Sequence, residues 1–154
     1  MREDRAASSV VGVVVLVAVT VGLAGVVGVA ATAIDDHRSP GRASIAVTAS
    51  PGSDRIAIEH RGGETLPIAA LRVVVAVDGT RLRHQPPVPF FAARGFASGP
   101  TGAFNPAADG RFGAGDRTTF RLAGTNAPTI DSGDEVEVRL YEGETLVATR
   151  AVRA

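Results

Sequence analysis

Apolar and polar positions fall into two regimes along the chain. From Ala6 to Ile34 no charged residue occurs, and within Val10–Ile34 19 of 25 residues are apolar. The exceptions are Gly12, Thr20, Gly22, Gly25, Gly28 and Thr32. As a helix such a run is roughly 37 Å long, enough to cross a ~30 Å hydrocarbon core with tilt. Eleven valines would suit a strand, but no globular strand reaches that length. In lipid, a single segment must satisfy its own backbone as a helix. The pattern predicts a short charged start over 1–6 and one long transmembrane helix over 7–34.

Asp35-Asp36-His37-Arg38-Ser39-Pro40-Gly41-Arg42 reads as a polar linker with a Pro-Gly stop. Beyond it the period changes to two. Ile45, Val47 and Ala49 alternate with polar or small neighbours, Ser50-Pro51-Gly52-Ser53 is a turn, and Ile56 and Ile58 alternate again, which together predict a hairpin. Leu71, Val73, Val75 and Val77 share one face of the strongest strand. Asp78-Gly79 is a tight-turn signal, with Thr80–His84 as the return strand. Strands are also expected over Arg117–Leu122, Glu135–Tyr141 and Leu146–Val152. About seven short strands, each with one apolar face to bury, predict an antiparallel, Ig-like β-sandwich over 43–154. The expected fold class is α+β overall: the long N-terminal helix followed by that sandwich.

Residues 85–116 interrupt the pattern. This stretch holds five prolines, six glycines and five of the six phenylalanines: Phe90, Phe91, Phe96, Phe104 and Phe112. A long irregular segment is usually either functional or disordered, and aromatics argue against disorder. Two readings stand: the rings cover the open end of the sandwich, or they form a contact loop for a neighbouring subunit or ligand.

Composition narrows the chemistry. There is no cysteine, which excludes disulfides, thiolate metal sites and a cysteine nucleophile. Sixteen basic and sixteen acidic residues balance, which argues against a nucleic-acid partner held by phosphate contacts. Every basic residue is arginine, so lysine Schiff-base and P-loop chemistry are excluded. His37, His60 and His84 lack ligand spacing. Asp109, Asp116, Asp131 and Asp134 lack the spacing of an EF-hand. Gly110-x-x-Gly113-x-Gly115 precedes a strand rather than a helix, so it is not a phosphate cradle. We expect no catalytic residue, no metal and no cofactor.

Arg5-Ala6-Ala7-Ser8-Ser9-Val10-Val11-Gly12-Val13, followed by Leu16-Val17-Ala18-Val19-Thr20-Val21, resembles the N-terminus of archaeal type IV pilin-like proteins. Ser9 stands where the family usually has proline, and Val11 where it has isoleucine. The resemblance covers about residues 2–34. It implies cleavage by a prepilin peptidase at a processing site formed by Arg5, Ala6 and Ala7. It further implies residence in membrane lipid, then polymerisation with other pilin subunits. Small residues at spacing four allow close helix packing; Ala18 with Gly22 and Ala24 with Gly28, together with Gly12, are the candidate packing positions.

The expected function is a pilin-like subunit that assembles into a surface filament and serves adhesion. Its N-terminus would be cytoplasmic and its β-domain extracellular, with one membrane pass. The alternative is a single-pass anchored binding module that does not polymerise. Ala31-Thr32-Ala33 has the small-x-small form of a signal peptidase site, so a secreted protein cut after Ala33 is a third reading.

Overall fold

The computed structural model describes residues 12–19 and 42–154. Two compact units divide the chain, 1–39 and 40–154. In the first, residues 12–19 form an α-helix of eight residues. This corrects the expected fold class. The described residues are predominantly strand, and no helix among them is long and apolar enough to cross a membrane. Eight residues rise only about 12 Å, so the expected long transmembrane or filament-core helix is not found among the described residues. Apolarity fixes the surroundings a segment prefers, not its backbone conformation. Five of the eight residues are valine, which loses side-chain freedom in a helix. The leader, Gly22, Ala24, Gly28 and the linker before Arg42 lie outside the described residues.

The second unit is built as its alternation predicts. β1 (Ala43–Ser50) and β2 (Arg55–Gly63) pair antiparallel, with Val47 opposite Ile58. Pro51–Ser53 forms one 3-10 turn between them, and Asp54 closes it in the left-handed region at φ 48°. β3 (Leu66–Pro67) is a two-residue strand paired to β6 (Arg111–Phe112). β4 (Leu71–Val77) turns through Asp78 and Gly79, at φ 47° and 74°, into β5 (Thr80–Arg81). Two consecutive positive φ values match the twist of a tight hairpin. The Asp78 carboxylate also accepts the Glu135 N–H at 2.8 Å. β7 (Arg117–Arg121), β8 (Glu135–Glu142) and β9 (Thr145–Arg153) complete the set.

These strands make two main antiparallel sheets, β1-β2-β7 and β5-β4-β8-β9. Their inward faces meet in one core. Ile45, Val47, Ile56, Ile58 and Phe120 come from the first sheet; Val73, Val75, Val77, Val136, Val138 and Leu140 from the second.

The predicted return strand Thr80–His84 stops at Arg81, and a side chain explains why. Gln85 accepts the Val75 N–H at 2.7 Å and donates to the Val75 carbonyl at 2.9 Å and the Leu82 carbonyl at 3.0 Å. Its amide occupies the place of a strand residue, so the ladder ends without leaving buried backbone groups unpaired. Asn126 repeats the device on His84, accepting its N–H and donating to its carbonyl, both at 3.0 Å.

Candidate functional site

The proline- and glycine-rich stretch 85–116 is the largest irregular part of the described domain. Four of its five phenylalanines are interior: Phe90, Phe96, Phe104 and Phe112 are all buried. With Phe120 and His60 they form an unbroken file of rings. Successive centroids lie 5.5 Å apart from Phe90 to Phe96, 5.8 Å to Phe120, 6.3 Å to Phe104, 5.7 Å to Phe112 and 5.2 Å to His60. Such contacts add to the transfer free energy of each ring. The file gives the irregular chain a hydrophobic underside that regular strands would otherwise supply. Phe91 alone points out, at 63% exposure.

His60 ends the file. Its Nε2 lies 2.9 Å from the Glu64 carbonyl, while Nδ1 is buried with no hydrogen-bond partner. It packs edge-on against Phe112, and its backbone binds the Gly115–Asp116 turn. It serves as a core residue that fastens two loops. The aspartates separate similarly into local turns. Asp109 accepts the Arg111 N–H, Asp116 the Gly113 N–H and Asp134 the Asp131 N–H. Among the described residues no three acidic or histidine side chains converge as a metal site would require.

One wall of the irregular stretch forms a cleft. Residues 97–101 run beside β7, fixed by Ala97 N–H to the Arg121 carbonyl at 2.9 Å and by reciprocal bonds between Thr101 and Thr119. The Gly99 N–H donates to the Phe91 carbonyl at 2.7 Å. Asn105 holds the Pro100 carbonyl and the Thr118 hydroxyl holds that of Thr101, each at 2.9 Å. Gly102, at φ 73°, lets the chain cross β7, where a Cβ would collide with the Arg117 carbonyl. Between this wall and the outer face of β2 and β7 lies an open cleft of about 370 Å³, lined by Arg55, Ser98, Thr101, Thr119 and Arg121 with Phe120 beneath.

Charge is unevenly placed on that outer face. Glu59 stands opposite Arg117, Ala57 opposite Thr119, and Arg55 opposite Arg121. The first pair is complementary; the third sets two cations side by side. Glu59 also pairs with Arg61 at 3.1 Å, and Arg42 reaches both Glu64 and Glu142. On the other sheet Glu137 binds Arg139 through two bonds of 2.8 and 2.7 Å, which raise the arginine pKa further. Arg72 lies over the Tyr141 ring at 4.2 Å. Arg55 and Arg121 have no such partner among the described residues.

Sequence reasoning missed these two arginines. Each sits at a strand end in the outward parity, but their juxtaposition depends on the β2–β7 register across more than sixty intervening residues. Of the candidate packing positions, Gly12 and Ala18 lie in the described helix, and both are exposed. The proposed processing residues Arg5, Ala6 and Ala7 lie outside the described residues. The chain matches no protein-family model, and no curated protein is significantly similar to it.

Proposed function

We propose that the chain is a non-enzymatic subunit that assembles with copies of itself through its apolar N-terminal segment and displays the β-domain at the cell surface. The observation that carries this reading is the helix 12–19. Val13, Val14, Val15, Val17 and Val19 are each at least half exposed, between 52% and 61%. Five valines over two turns point in all directions, so the helix has no polar face to turn to water. A helix apolar all round needs apolar surroundings on every side, and packed copies of the same helix supply them. Gly12 and Ala18 permit close approach. The absence of charge from Ala6 to Ile34 extends that preference along the segment. The resemblance of residues 2–34 to archaeal type IV pilin-like proteins supports the same reading, with a prepilin peptidase as the processing partner.

The natural lack of cysteine makes a clean test available. A Val15→Cys variant, expressed in the native host and oxidised on intact cells, should give disulfide-linked dimers in the sheared surface fraction. A Ser132→Cys variant, placed on an exposed turn of the domain, controls for random collision and should give none. Monomer alone from Val15→Cys, retained in the cell envelope, would overturn the reading.

A further inference from the structure

We propose that the cleft between residues 97–101 and strands β2 and β7 binds an acidic saccharide, with Arg55 and Arg121 receiving its carboxylate. The chain is neutral overall, yet this face places two arginines directly opposite each other with no acidic partner among the described residues. Directly opposed side chains in an antiparallel pair have Cβ atoms about 5 Å apart, and like charges there are destabilising. A fold that keeps such a pair at a cleft mouth holds two guanidinium forks ready for one anion. Arginine offers the bidentate geometry that carboxylates accept.

The rest of the lining points to a sugar rather than a bare ion. Ser98, Thr101 and Thr119 bring three hydroxyls to the cleft, and none of them makes a hydrogen bond within the described chain. Hydroxyls that both donate and accept match the ring hydroxyls of a saccharide. About 370 Å³ lies at the lower end of small-molecule sites, the size of one or two sugar rings. The wall is preorganised by its six hydrogen bonds to β7, Phe91 and Asn105, so little ordering remains for the ligand to impose. Phe91, whose carbonyl accepts the Gly99 N–H, is exposed in the neighbouring segment. This inference goes beyond assembly: it concerns what the displayed domain recognises, and it holds whether or not the chains polymerise.

The test uses the full-length chain in detergent solution and calorimetric titration with trigalacturonate, maltotriose and a hexaglutamate peptide. Trigalacturonate should bind, and maltotriose, an uncharged trisaccharide, should bind at least about tenfold more weakly. Arg55→Ala and Arg121→Ala should each weaken trigalacturonate about tenfold. Arg121→Lys should weaken it too, because a lysine is a point charge without the fork. Arg83→Ala, exposed and outside the cleft, should leave binding unchanged. Arg55→Ala and Arg121→Ala should melt at or above the parent temperature, because each removes the like-charge contact between the two. Failure of trigalacturonate to bind would overturn the proposal. So would equal binding of maltotriose, preferential binding of hexaglutamate, or full binding by both alanine variants.

Discussion

Individual side chains carry more of this fold than the strand pattern implies. Gln85 is the sharpest case, because its amide pairs both backbone groups of the fully buried Val75. Replacing it with leucine keeps the bulk but orphans a buried N–H, which costs about 1–3 kcal/mol. Gln85→Leu should therefore lower the chemical-denaturation midpoint, with an unchanged slope. Phenylalanines that look alike in sequence separate just as clearly. Phe104 is fully buried between Phe112 and Phe120, so Phe104→Ala should cost about 3–5 kcal/mol. Phe91→Ala, at an exposed ring, should stay within about 0.5 kcal/mol of the parent. Equal effects of the two substitutions in denaturant melts would contradict the arrangement of the ring file.

Among elements, the regular strands were legible and the irregular wall was not. Alternation at Ile45/Val47, Ile56/Ile58, Val73/Val75/Val77 and Val136/Val138/Leu140 marks inward faces because a strand has a side-chain period of two. Asp78-Gly79 announced its turn by residue type alone. The early end of the return strand was hidden, since nothing in the local pattern tells that Gln85 will fold back onto Val75. The wall 97–101 was hidden for a related reason. Its bonds to β7 join positions whose pairing emerges only in three dimensions, and the Arg55–Arg121 pair depends on the same register. The apolar stretch predicts one long helix over 7–34, whereas the described helix covers residues 12–19. Gly102 is where an element-scale change can be tested. It combines φ 73° with contact against the Arg117 carbonyl. Gly102→Ala adds backbone strain of about 1–3 kcal/mol to that collision. It should detach the wall from β7, seen as faster amide exchange at Thr101 and Thr119, whereas Gly99→Ala, with open space at its Cβ, should show only its own strain.

Across the whole molecule, two kinds of surface have different needs. The β-domain has buried its apolar faces in one core and turns arginines, threonines and a single large aromatic ring outward. The N-terminal segment has no charge from Ala6 to Ile34, and its described part exposes valine on every side. A protein with one satisfied unit and one unsatisfied segment is suited to presenting the first by packing the second. The most direct measurement is the mature N-terminus of the protein recovered from the native cell surface, by intact mass and N-terminal sequencing. The assembling-subunit account predicts a chain starting at Ala7, with the charged leader removed and the apolar segment kept. A mature protein that starts at Ile34, with that segment gone, or one that retains Met1 or Arg2, would contradict it.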